Sequence, residues 1–263
     1  MIHEHMIKLK TKEEIKILQE GGYILGTILE KLGAMVEPGV STEDLEKKAL
    51  ALIKEAGGSP SFKGYKTKYD KKAFPSALCT SINNEIVHAP AIPGRYLKNG
   101  DIIGIDIGMK YKKLYTDTAI TVPVGEVSKE VEKLIKTTKE CLDLAIKQVK
   151  PGNRLFDIAR AIQINAEAND FGVVRELVGH GVGHEVHEAP QVPNYDTGED
   201  ELTEIELTPG LVIAIEPMLT VGDWHIKTGD DGLSLLTKDG QLSAHFEHTV
   251  AVTEDGCIII TST

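Results

Sequence analysis

The sequence predicts a mixed α/β (α+β) fold made of two similar halves, with antiparallel strands inside and helices outside. Three observations carry this reading. Paired helix-like stretches are joined by the same link twice, Val36-Glu37-Pro38-Gly39 and Val149-Lys150-Pro151-Gly152. A strand-like run ending in an acid recurs, Leu97–Asp106 against Leu207–Glu216. A second acid-bearing strand recurs after each, Thr116–Val122 against Phe246–Val252, so that Asp117 falls on Glu247. His88-Ala89-Pro90 also resembles His187-Glu188-Ala189-Pro190 with a one-residue slip. Such a series in one order implies duplication, with halves of about 11–125 and 126–260. The 263 residues are then one domain, ample for a core.

Each element has a local cause. Thr11-Lys12-Glu13-Glu14 fits a capping box before an amphipathic helix, Ile15–Leu32, interrupted at Gly21-Gly22. Ser41-Thr42 caps a second helix, Leu45–Glu55, which Gly57-Gly58 ends. Ile102–Ile107 is apolar and β-branched, and Leu114–Val122 alternates with period two. Met109–Lys113 reads as a polar turn, and a hairpin pivoting between Tyr111 and Lys112 sets Asp106 directly opposite Asp117. Ser128–Gln148 and Leu155–Asn169 supply the second helix pair. A longer excursion, Leu219–Ala244, separates the acid-bearing strands of the second half.

The acids point to chemistry. Asp106 interrupts an apolar run, and aspartate is rarely buried without a partner. A pseudo-two-fold joining both hairpins would gather Asp106, Asp117, Glu216 and Glu247 in one cleft. Close carboxylates need a cation between them, and an added imidazole moves the preference toward Mn, Fe, Co or Zn. His180, in Gly179-His180-Gly181, is the candidate imidazole, and it has no counterpart in the first half. His184-Glu185-Val186-His187 is one residue too short for a zincin motif. Two ions sharing bridging carboxylates would lie roughly 3.5–4 Å apart, activate a water between them and polarise a carbonyl. His88 and His187 then read as groups facing the substrate, whereas His184 and His248 pack or support neighbours. His3, His5 and His225 are expected in solvent.

Other classes are disfavoured. There is no G-x-S-x-G, P-loop or dinucleotide fingerprint, and Cys79 lacks the signs of a catalytic thiolate. The apolar runs are too short to span a membrane, and the N-terminus lacks a signal-peptide layout. Three cysteines, Cys79, Cys141 and Cys257, argue for a reducing compartment, hence the cytoplasm. A net charge of −11 disfavours DNA and suits a cationic ligand such as a free α-amino group.

The motifs Asp106-Ile107-Gly108, Asp117, Gly179-His180-Gly181-Val182-Gly183, His187–Val192, Ile215-Glu216-Pro217-Met218 and Glu247-His248-Thr249 resemble those of type I methionine aminopeptidases, in the pita-bread metallopeptidase superfamily. The resemblance covers nearly the whole chain. It implies the pita-bread fold, two divalent ions (Co, Mn or Fe, with Zn able to fit) and removal of N-terminal methionine from nascent peptides whose second residue is small. Asp106, Asp117, His180, Glu216 and Glu247 would hold the metals, with Asp117 and Glu247 bridging. Glu216 would accept the nucleophile's proton, and His88 and His187 would contact substrate. Phe62, Tyr65, Phe74, Cys79, Val186 and Leu233 would line the methionine pocket, the last two less aromatic than is usual. Ala89 stands where glycine is common. Lys66–Ala73 lengthens a connection and, with Lys63, holds five lysines; it reads as a solvated loop, with a lid or a ribosomal RNA contact as the alternative. Analogy favours a monomer. The rivals are an Xaa-Pro aminopeptidase of the same fold, which would need an N-terminal domain for which there is no room before Thr11, and an inert pita-bread binding protein. The large insertion of type II enzymes is not found.

Overall fold

The computed structural model describes residues 7–68, 71–198 and 203–263; His3, His5, Tyr69 and Asp70 lie outside them. The first half contributes α1 (Lys12–Gly33), α2 (Thr42–Glu55), β1 (Ser59–Pro60), β2 (Leu78–Ile82), β3 (Glu85–Val87), β4 (Ile102–Tyr111) and β5 (Leu114–Pro123). The second contributes α3 (Lys129–Ile146), α4 (Leu155–Ala168), β6 (Gly172–Val173), β7 (Gly179–Gly181), β8 (Glu188–Val192) and β9 (Val212–Ile215). It continues with β10 (Met218–Thr220), β11 (Ile226–Thr228), β12 (Leu235–Thr237), β13 (Ser243–His245), β14 (Glu247–Val252) and β15 (Cys257–Ile259).

Both caps expected in the first half form. Thr11 and Glu14 exchange side-chain and backbone hydrogen bonds, as do Ser41 and Asp44. Gly57, directly after the C-cap Ala56, takes positive φ and ends α2 at little steric cost, whereas the Pro-Gly links lie beyond the helix ends: α1 stops at Gly33 and α3 at Ile146, and the positive φ of Gly39 and Gly152 turns the connecting segment. However, α1 runs unbroken through Gly21-Gly22. These glycines are there for closeness: a Cβ on Gly22 would lie 2.3 Å from the carbonyl oxygen of Ile260, and one on Gly26 would lie 2.5 Å from that of Thr261.

The main sheet runs β1-β4-β5-β14-β9-β7-β8, with β2 added to β4 and β15 to β14. All the pairings described are antiparallel. Its centre is the β5–β14 pair, where Thr118 faces His248. Those two positions are equivalent in the duplicated sequence, so the pseudo-two-fold passes between them. Outside, Leu25, Leu29, Leu32 and Leu45 pack on Ile103, Ile105 and Ile107. The mirror layer sets Leu134, Leu142 and Ile158 on Ile213, Ile215 and Val250. Each such aliphatic side chain adds roughly 1.5–3 kcal/mol on burial. Strand alternation leaves the acids on the opposite, inner face. This is the pita-bread fold. Among the described residues no helix is long and apolar enough to cross a membrane.

The β4–β5 hairpin differs from the expected register. Lys112 and Lys113 both take positive φ, the signature of a two-residue type I′ turn, and Tyr111 pairs with Leu114. Asp106 therefore faces Ala119, and Asp117 faces Gly108. The two acids are diagonal neighbours on one face rather than directly opposed.

Candidate metal centre

Register explains why the acids converge. Asp106 and Glu247 each pair with Ala119, from either side. Asp117 lies two residues before Ala119 and so shares its face. His180 and Thr249 both pair with Ala214, and Glu216 follows two residues later. All five candidate ligands thus project from one face, around the small side chains of Ala119 and Ala214.

Their atoms fall into overlapping sets whose members lie within 4.8 Å of one another: Asp106, Asp117 and Glu247; His180, Glu216 and Glu247; and Asp117, His180 and His187. His187 was expected only as a substrate contact, yet one of its ring nitrogens reaches this neighbourhood. The backbone holds the acids in place. Asp117 N–H donates to Thr249 Oγ1 (3.0 Å), whose hydroxyl donates to Asp117 O (2.7 Å). Thr118 N–H donates to Asp117 Oδ1 (3.0 Å), and Thr118 Oγ1 donates to the Glu247 carbonyl (2.8 Å). Asn194 Nδ2 donates to the Glu216 carbonyl (3.1 Å).

Electrostatics shows what the cluster lacks. Burial, then the charge of Glu216, pushes Asp106 up to about 8. Burial pushes Glu216 up to about 7, with His180 opposing the rise. Burial and the neighbouring acids drive Asp117 and Glu247 well above the carboxylate range. Among the described residues, the basic groups nearest Glu216 are imidazoles, which carry charge only when protonated: His180 Nε2 lies 3.7 Å and His245 Nε2 3.4 Å from it. Asp106 Oδ1 and His245 Nε2 are buried with no hydrogen-bond partner. Buried polar atoms are seldom left so. Oxygen donors with one imidazole, and orphaned lone pairs, fit one or more divalent cations.

The acids open into a cavity of about 570 Å³. Phe62, Tyr65, Phe74, Cys79 and Leu233 line it, together with His88 and His187. Val186 does not; it is buried behind the wall against Phe62 and Cys79. Gly108 makes room for this wall, because a Cβ there would lie 2.9 Å from the Phe62 ring and 2.0 Å from Ser61 Oγ. Tyr65 OH lies 3.0 Å from His187 Nδ1. His187 keeps an edge in solvent, yet desolvation and the nearby imidazoles of His180 and His88 lower its pKa. His88 holds a positive φ of 60° at the cavity wall. The Cys79 thiol is pushed well up by burial and the adjacent acids, consistent with an inert thiol.

The sequence reading overlooked His245, fully buried and held near 3 by desolvation. Its signal was its place two residues before Glu247, but β13 and β14 separate at Phe246. It also missed Thr228 and Leu235 on the cavity wall, which Thr67 and Lys72 of the long connection join. His184 and His248 stand elsewhere, against Glu14 (2.7 Å) and Thr261 (2.9 Å). His225 is not simply in solvent: it stacks on Trp224 and bonds Asp223 (2.7 Å). The described lysines of the long connection are exposed.

Residues 16–254 match the model of metallopeptidase family M24. The chain belongs to that family. It is 45% identical over 257 residues to methionine aminopeptidase 1 of Bacillus subtilis, covering 97% of this chain and 99% of the relative. The methionine aminopeptidase of Clostridium perfringens is 44% identical, covering 97% and 99%. The crystal structure of methionine aminopeptidase from Thermotoga maritima superposes with a TM-score of 0.92 at 39% identity, covering 98% of this chain and all of that one. A prolidase from Pyrococcus horikoshii shares the fold alone, with a TM-score of 0.75 at 22% identity and only 64% of its length covered.

Proposed function

We propose that this M24 chain is a methionine aminopeptidase, removing the N-terminal methionine from new proteins and peptides whose second residue is small. The observation that carries the reading is the convergence of four carboxylates and His180 at the floor of an apolar cavity. The names of the full-length relatives agree with it. Asp106, Asp117, His180, Glu216 and Glu247 would hold two divalent ions, Co, Mn or Fe, with Zn also able to fit. When bound, such ions polarise a carbonyl and lower the pKa of water.

The protein's own groups do the rest. Phe62, Tyr65, Phe74, Cys79 and Leu233 take up a flexible thioether side chain. The acid-rich floor attracts the substrate's α-ammonium, which limits removal to the first residue. His187, neutral at neutral pH, has Nδ1 engaged by Tyr65; with His88 it steadies the scissile peptide. Glu216 takes the proton of the attacking water and passes it to the leaving amine. The reading extends to residues 1–263 acting as one catalytic domain, a monomer in the cytoplasm that meets chains leaving the ribosome.

The test uses chelated protein, before and after addition of Mn or Co, on Met-Ala-Ser, Met-Lys-Ser, Leu-Ala-Ser and Ala-Pro-Ser. Metal-dependent release from Met-Ala-Ser alone is expected. Cleavage of Ala-Pro-Ser instead would move the protein to the proline-specific branch, and absence of metal binding would leave only an inert relative.

A further inference from the structure

A second cavity, of about 380 Å³, adjoins the first, and Lys72 and Leu233 line both. Its size falls within the range of small-ligand pockets, roughly 300–1,000 Å³. The walls are apolar, from Pro90, Ile92, Pro93 and Leu236, and the lip is acidic, from Asp230 and Asp231. The separating wall is the tip between β11 and β12, where alternation sends Leu235 into the first cavity and Leu236 into the second.

The polar groups here differ in what they are free to do. Arg95 is spent on Glu85, by two bonds of 2.6 and 2.7 Å, and on the Thr80 carbonyl (2.6 Å). Asp231 accepts from Leu233 N, Ser234 N and Ser234 Oγ, which fixes the tip. Lys72 stands near enough to Asp231 for their charges to attract. Asp230 is the acid of the lip not engaged in shaping the tip.

We propose that this cavity seats the substrate beyond the scissile bond: an apolar third residue against Ile92 and Leu236, followed by a basic residue facing Asp230. The chain would leave the metal-rich floor, cross Leu233 beneath Lys72, and settle there. This rests on the peptidase reading above and adds a selectivity that Met-Ala-Ser, with a polar third residue and no fourth, cannot express.

The experiment compares kcat/KM of the metal-loaded protein for Met-Ala-Ser, Met-Ala-Leu-Lys-Ser and Met-Ala-Asp-Asp-Ser. The Leu-Lys peptide should exceed the tripeptide by about tenfold or more, as expected from burying one aliphatic side chain. The Asp-Asp peptide should show no gain. Ile92→Arg, at a half-buried position, should remove the gain while sparing Met-Ala-Ser, and Asp230→Lys, at an exposed one, should shrink it severalfold. Equal turnover of all three peptides, or a gain that survives both substitutions, would overturn the inference alone. Failure to cleave Met-Ala-Ser with metal bound would overturn the peptidase reading, and this proposal with it.

Discussion

Stripping divalent ions from the cleft should make the protein's stability fall as pH rises from about 7 to about 8. In the unfolded chain the acids ionise near 4, so all are charged throughout that window. In the folded, chelated protein Asp106 keeps its proton to about 8, and burial with the neighbouring acids also raises Asp117 and Glu247 well above the carboxylate range. The native state then binds more protons than the unfolded state, and stability must drop with rising pH. Each extra proton contributes about 1.4 kcal/mol per pH unit, so the fall lies between about 1.4 kcal/mol for one proton and about 4 for three. Against a typical total of about 5–15 kcal/mol this is readily measured. His187 and His245 act in the opposite sense, because their pKa values are lowered. Their contribution is lost only as pH falls below about 6.5, where unfolded imidazoles become charged, so it barely enters the window. The assay is urea unfolding followed by circular dichroism, in chelator and in excess Mn. Bound cations keep the acids ionised, so the Mn series should be flat or rise with pH. A chelated protein whose stability stayed level or increased from pH 7 to 8 would refute the account of a charge-starved cluster.

Three further outcomes follow from the same geometry. Glu247→Gln should raise the chelated protein's stability at pH 8 by about 1 kcal/mol or more while abolishing tight metal uptake, read by unfolding and by metal analysis after dialysis. Gly22→Ala should lower stability by roughly 1–3 kcal/mol although alanine favours helix by about 1, because the added methyl meets Ile260; thermal unfolding measures it. Tyr65→Phe removes the hydroxyl beside His187 and should cost roughly threefold to tenfold in kcat/KM, whereas His187→Ala should cost roughly 10²–10⁴; steady-state kinetics on Met-Ala-Ser separates the two.

Much of the fold was legible because its signals are local. Capping boxes at Thr11 and Ser41 fix where helices start, whatever surrounds them. The acids were legible because each interrupts a run that otherwise reads as core, and the duplication told which runs belong together. What escaped depends on contacts distant in sequence. The hairpin register turned on two lysines accepting positive φ, residues that seldom announce such a turn. Gly21-Gly22 resembled a break because the neighbours that crowd them, Tyr111 for Gly21 and Ile260 for Gly22, lie far along the chain. His245 carries no motif, and only its place behind Glu216 gives it meaning.

The seat of Ile260 and Thr261 against Gly22 and Gly26 also bears on how the molecule comes into being. Translation delivers α1 well before the segment that seats on it. α1 therefore keeps part of one face uncovered until synthesis reaches Ile260 and Thr261. A product lacking those residues would carry all five candidate ligands and still expose a glycine-lined furrow along α1.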